Sequence, residues 1–243
     1  MMNSRLLFSS NEEYLEWELF RVKQRIESFL EFRAEPSDTS EAKHRRLLAE
    51  LERTRPIALA GRREAVHTGV PIPFEHLSQR FKLTPLAEEL VMVLLAPHLS
   101  GYLRQLLIRA QGNVLKPYLE VGFILDLLQP NPQLQSNLGW CEPESALIQS
   151  GLIWTQAPSV DGIRLDLMGH SVYTPQYIAR AVQGEVCVDE QLATFCTIQT
   201  PRVEFFDVVL SKHTQRQLED FLQNFHRPAS SGHQQVFLND RPR

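Results

Sequence analysis

Eight histidines, three cysteines and a run of basic side chains between positions 43 and 63 are the groups in this chain whose types could carry chemistry. Their spacing argues against most of it. No histidine pair has the H-E-x-x-H spacing that sets two imidazoles on one helix face around zinc, and His98, beside Pro97, reads as a capping or surface residue. Cys141, Cys187 and Cys196 form no C-x-x-C pair and are odd in number, so neither a thiolate metal site nor a disulfide framework is indicated. The serines lack a G-x-S-x-G elbow. Nucleotide phosphates need the G-x-x-x-x-G-K-[ST] cradle, together with an apolar strand ending in carboxylates that hold magnesium, and neither string occurs. The expectation is a chain with no catalytic, cofactor-binding or metal-ligating residue, which neither binds nor hydrolyses ATP by itself.

The basic run is the remaining candidate site: Lys43, Arg45, Arg46, Arg53, Arg55, Arg62 and Arg63. Such a patch could hold nucleic acid or an acidic protein. Glu41, Glu50, Glu52 and Glu64 interleave with it, however, and pairs such as Glu41 with Arg45 are spaced i,i+4, which favours a solvated helix face. No aromatic residues intervene for base stacking. Glu88 and Glu89, close to a helix start, read as carboxylates complementing the helix dipole.

The elements that must position these residues are mostly helical. At 243 residues, with 43% hydrophobic residues and a net charge of −4, the chain can bury more than one packing unit. No signal peptide and no membrane-length apolar run is present, which with the unpaired cysteines points to the cytoplasm. Residues 1–55 read as a helical leader. Ser10 and Glu13 form a capping box, and Leu15, Leu19, Val22, Ile26 and Phe29 follow at 4-3-4-3 spacing as one arm of a helical hairpin. The chain returns through Ser37 to Ser40 into a helix bearing Leu47, Leu48 and Leu51, and Pro56, Gly61, Gly69, Pro71 and Pro73 mark 55–73 as a linker.

A second unit, 74–188, begins at Phe74. Thr84 with Pro85 starts a helix whose Leu86 and Leu90 to Leu95 make it buried on most sides, and further helices are expected at 101–110 and 117–128. A short helix over 143–150 then leads into Trp154-Thr-Gln and into Ile163, Leu165 and Leu167, alternating around an Asp161-Gly162 turn. Helices followed by a hairpin make a winged helix, with Asp161 and Gly162 at the wing turn. The next helix, 176–183, closes at Gly184. In a DNA-binding winged helix the element before the wing would enter the major groove. Here no basic side chain occurs from 117 through 163, while Glu120, Asp126, Glu142, Glu144 and Asp161 are acidic, so this surface should repel phosphate.

The runs Leu83 to Leu99, Lys116 to Leu128, Ser145 to Ile153 and Tyr173 to Gly184, followed by Val188-Asp189, resemble in order and spacing the amino-terminal winged-helix region of a group of bacterial AAA-type ATPases. Some members of that group are encoded with contractile injection systems. The resemblance implies a mostly α fold: a helical hairpin leader, a winged-helix domain with a small β-hairpin, and a linker over 189–243 whose amphipathic helix, Ser211 to Phe225, leads towards an ATPase core. Residues that would form the core are not in the sequence, so the chain is expected to be either a fragment or a natural homologue without a core. ATP and magnesium are implied only where such a core follows. The implied role is ATP-driven remodelling of protein assemblies, with this region contacting a protein partner or neighbouring ATPase subunits, no membrane, and oligomers only through the core. The alternative is a winged-helix regulator that binds nucleic acid through the basic 43–63 region.

Overall fold

The computed structural model describes residues 7–112, 118–128, 138–157, 159–160, 163–164, 167–186 and 211–226. Helix α1, Asn11–Ala34, starts where expected. The Ser10 hydroxyl accepts from the Glu13 amide, but the Glu13 carboxylate reaches back to the amide and hydroxyl of Ser9 instead of to Ser10. Its buried face carries Leu15, Val22, Ile26 and Phe29. Ser37 and Ser40 cap each other reciprocally at the start of α2, Asp38–His67, which packs back on α1 as a helical hairpin.

The expected linker is instead helix. α2 continues through Pro56, which removes the N–H that would have reached the Glu52 carbonyl and crowds that carbonyl with its ring. Packing outweighs that loss, because Leu48, Leu51, Arg55, Ala58, Arg62 and Ala65 are all buried and keep a 3-4-3-4-3 spacing along one side. The leader therefore belongs to the same compact unit as the helices that follow it, spanning Met1–Ile198.

Helix α3, Pro73–Phe81, ends at Lys82 in the left-handed region, and α4, Pro85–Leu99, begins with Thr84 capping the Ala87 amide and Pro85 in the first turn. Every residue of α4 from Leu90 to Ala96 is buried, which makes it the central helix of the core. α5, Gly101–Gln111, is capped by Ser100 and stops at Gly112 with φ of 74°. The segment expected to extend the next helix back to 117 forms strand β1, Leu119–Glu120, ahead of α6, Val121–Leu128. A single-turn α7, Ala146–Gln149, capped by Ser145, ends at Gly151 with φ of 72° and feeds β2, Trp154–Gln156. Strands β3, Ser159–Val160, and β4, Ile163–Arg164, are followed by a short 3-10 turn, Leu167–Gly169, then β5, Ser171–Tyr173, and α8, Gln176–Val182. Gly184 closes α8 with φ of 89°, as the glycine position required.

The main sheet is antiparallel in the order β1-β5-β2, with Leu119 opposite Val172 and Thr155 opposite the same residue on the other side. The expected partner of β2, residues 163–167, is thus corrected to 171–173. The reason lies in the wing, where β3 and β4 pair with each other, Val160 opposite Ile163, as a separate hairpin. The chain closes that hairpin before returning to the sheet at Val172, which is fully buried. Asp161 and Gly162 fall between the paired strands and lie outside the described residues. The second compact unit, Gln199–Arg243, contains α9, Lys212–His226, at the place expected for the amphipathic linker helix. Of the face assigned to it, Leu218 is exposed, and the side chains of Phe221, Leu222 and Phe225 lie outside the described residues. Among the described residues no single helix is long and apolar enough to cross a membrane.

Candidate functional site

Two of the seven basic residues sit inside the protein. Arg62 on α2 is 1% exposed; its Nε donates to Glu75 of α3, its Nη2 to Glu88 of α4 at 2.7 Å, and its Nη1 to the Tyr14 hydroxyl of α1 at 3.1 Å. Ser78 donates to the same Glu88 carboxylate, and the Arg62 guanidinium lies 5.3 Å from the centre of the Phe74 ring. Seven residues earlier on the same face, Arg55 donates to Glu89 at 2.9 Å, and Arg25 of α1 reaches the other oxygen of that carboxylate. Arg21 completes the row, facing Glu18 at 3.4 Å and donating to the Leu51 carbonyl at 2.8 Å.

Arg21, Arg25, Arg55 and Arg62 are thereby matched by Glu18, Glu75, Glu88 and Glu89, four charges against four. Removing such charges from water is costly, and only mutual pairing with added hydrogen bonds offsets it. Burial works against ionisation of Glu89, but Arg25 and Arg55 outweigh it and hold its carboxyl below the usual range. Burial pushes the Tyr14 phenol well above its ordinary value. The network fastens α1, α2, α3 and α4 together, which is a structural use of arginine.

This corrects the reading of 43–63 as one solvated patch. Arg55 and Arg62 are core residues, and Glu88 and Glu89 are their partners instead of free dipole-complementing acids. The exposed members are mostly engaged as well: Lys43 with Glu31 at 2.6 Å, Arg45 with Glu41, Arg53 with Glu50 at 4.0 Å, and Arg63 with Glu75 at 3.9 Å. Arg46 is exposed. Periodicity could have located the buried pair, since both arginines fall on the Leu48 to Ala65 stripe once the helix is carried past Pro56.

The sheet presents the opposite chemistry. Leu119 and Val172 are buried on its inner face. Trp154 of β2 pairs across from Tyr173 of β5, and Tyr118, just before β1, stacks on Tyr173 to extend the row. The Tyr118 and Tyr173 rings stack with centroids 4.7 Å apart, and Trp154 lies 5.9 Å from Tyr173. Tyr118 is 42% and Trp154 40% exposed. The Gln111 side chain closes the β1 edge, donating to the Tyr118 carbonyl at 3.2 Å and accepting from the Glu120 amide at 3.0 Å. Glu142 and Glu144, just before α7, are exposed.

Compared with protein families, residues 4–195 match the model described as winged helix domain, variant. The chain belongs to that family. Neither a curated protein nor a solved structure matches it. In this winged-helix domain α7 is the helix ahead of the wing, and no residue of it is basic. Asp161 and Gly162, outside the described residues, stand between β3 and β4 in the sequence, and the aromatic row lies on the β1-β5-β2 sheet.

One pocket of about 320 Å³ opens between the winged-helix domain's α1, α2 and α6. Phe29, Phe32 and Leu48 form apolar walls, with Arg33, Arg45, Glu41 and Asp126 among the lining residues. His44 stacks on Phe32 with ring centroids 5.6 Å apart and shares a 2.8 Å hydrogen bond with Ser28. Burial, aided by Arg25, lowers its pKa and so favours the neutral imidazole. Among the described residues no group of histidines, cysteines and carboxylates is placed to hold a metal. The Cys141 thiol is buried, and burial pushes it up to about 11.

Proposed function

We propose that this winged-helix domain is a non-catalytic recognition and positioning module that binds protein, and that it stands ahead of the motor of an AAA-type ATPase engaged in remodelling protein assemblies. The observation that carries the reading is the division of charge. Glu142 and Glu144 are exposed just ahead of the helix before the wing and the neighbouring sheet shows Tyr118 and Trp154, while of the cations in 43–63 Arg55 and Arg62 are turned inward and Lys43, Arg45, Arg53 and Arg63 already face carboxylates. Non-specific nucleic-acid affinity rests on cations free to displace counterions from phosphate, and this surface supplies few of them. Trp and Tyr exposed together are, by contrast, what protein interfaces use as anchors.

The link to an AAA-type motor rests on the order and spacing of the runs from Leu83 to Asp189. Catalysis by the chain itself has no chemical support in the sequence, since no phosphate cradle or magnesium-holding strand is written there. Calorimetric titration of the chain with ATP and magnesium tests that half of the proposal. No binding heat is expected, and a micromolar complex would contradict it. The competing reading, nucleic-acid binding through 43–63, requires a complex whose affinity collapses with salt and with loss of the exposed cations Lys43, Arg45, Arg46 and Arg63.

A further inference from the structure

The buried arginines of the helical network are not equally satisfied. Arg62 has a protein acceptor at Nε and at both terminal nitrogens: Glu75, Glu88 and the Tyr14 hydroxyl. Arg21 is 8% exposed, yet only two corners of its fork are used, Nη2 on the Leu51 carbonyl at 2.8 Å and Nη1 on Glu18 at 3.4 Å. Its Nε is buried, and among the described residues no protein atom accepts from it. Glu18 is short of partners as well. Its buried carboxylate has that one contact with Arg21, longer than the roughly 2.7 to 2.9 Å usual for a charge-assisted hydrogen bond. Next to both groups lies a cavity of about 10 Å³, walled by Glu18, Arg21 and Arg25 of α1, by Leu51 of α2, and by Glu89 and Val93 of α4. A cavity of that size holds one water molecule and nothing larger.

We infer that this cavity is a binding site for a single water molecule, which accepts a hydrogen bond from Arg21 Nε and donates to the carboxylates of Glu18 and Glu89. Cavities stay dry where their walls are apolar, and this one has two guanidiniums and two carboxylates among its walls. The same charges select water over an ion. Arg21 and Arg25 balance Glu18 and Glu89, so an added ion would be a buried charge without a counter-charge, whereas a neutral molecule that both donates and accepts serves the two signs at once. Burial raises the Glu18 carboxyl, and a water donating to it favours the charged form that Arg21 requires. The water adds a link between α1 and α4 beside the direct Arg25–Glu89 pair. This end of the network is wet, while the Arg62 end is closed by protein atoms.

A crystal structure of the full chain, with a second crystal soaked in sodium bromide, tests the site in the unaltered protein. The expected result is a density peak in the cavity, within hydrogen-bond distance of Arg21 Nε and of a Glu18 or Glu89 oxygen, with no anomalous bromide signal there. An empty cavity, a bromide in it, or an Arg21 side chain turned to another acceptor overturns the inference. Val93→Ile probes the same point in solution, because it adds one methyl group to the cavity wall. That methyl should displace the water and strand the Arg21 donor, so the urea midpoint should fall. In a dry cavity the added methyl would raise the midpoint or leave it unchanged, which contradicts the inference. Overpacking also lowers a midpoint, and Val93→Ile placed in an Arg21→Met background separates the two. Methionine keeps the bulk of the arginine stem without its N–H, so the second substitution should cost clearly less there. An equal loss in both backgrounds overturns the inference, and the wild-type crystal decides alone if Arg21→Met does not fold.

Discussion

The helical side and the sheet side of the first compact unit use the same kinds of residue in opposite ways. Across α1 to α4 the arginines are inside, four guanidiniums against four carboxylates, and the aromatics near them are covered by the chain's own cations. On the β1-β5-β2 sheet the aromatics are outside and, among the described residues, stack on each other with no cation over them. The difference separates residues that hold the fold from residues left over for a partner. A count of basic residues along the sequence points at the first region, while the stacked and partly exposed aromatic row is in the second.

The comparison breaks most visibly at Arg62. Arg62→Ala leaves Glu75 and Glu88 buried without their cation, and loss of one partner of such a pair costs about 3 to 5 kcal/mol. Urea denaturation should show a lower midpoint with an unchanged slope, and Arg62→Glu, which adds a third buried carboxylate, should abolish folding. An Arg62→Ala midpoint near wild type would mean that the network is not what joins the helices. Next in size is the joint between the two regions, where Gly151 turns α7 into β2 at φ of 72° with the Tyr177 hydroxyl 3.4 Å from any added Cβ. Gly151→Ala should cost about 1 to 2 kcal/mol on the same measurement. The sheet row is expected to matter least to the fold: Trp154→Leu should cost about 1 kcal/mol or less, since it loses only partly exposed ring contacts. A cost as large as that of Arg62→Ala would make the row a part of the core.

The smallest effect is one of pH. Burial, then Arg25, keeps the His44 imidazole below its ordinary 6.5, so as pH falls the unfolded chain takes up that proton first. Its contribution is complete above about 6.5 and is lost progressively down to the folded-state value. Midpoints measured across that window should fall with pH, and His44→Asn should flatten the decline, leaving a residual slope from His98, whose pKa burial and Arg104 also lower.

Legibility in the sequence followed the range of the interactions. The Ser10 and Thr84-Pro85 caps, the 4-3 stripe of α1 and the all-round burial of α4 are local signals, and each was readable from a few neighbouring residues. α2 was not, because Pro56 is a strong local breaker and the burial that overrides it comes from α1, α3 and α4. For the same reason Arg55 and Arg62 read as surface: their acceptors lie 34, 13 and 26 residues away. A hairpin after α7 was readable, and β3 and β4 form one, but the strand that pairs with β2 depends on where the wing closes, which spacing alone leaves open. Tyr118, Trp154 and Tyr173 are far apart in sequence, and only the order β1-β5-β2 sets them side by side.

The claim at the centre is that Arg55 and Arg62 serve the fold, that the other cations of 43–63 are a solvated helix face, and that recognition of protein, not nucleic acid, is the task proposed for this winged-helix domain. It is tested most directly by anisotropy titration of a labelled DNA duplex with the full chain at low and at physiological ionic strength, wild type against Lys43→Glu/Arg45→Glu/Arg46→Glu/Arg63→Glu. These four side chains are exposed, so the variant should melt close to wild type. The expected result is no salt-sensitive complex in the micromolar range for either protein. A wild-type complex that weakens steeply with salt and disappears in the charge-reversed variant would contradict the claim.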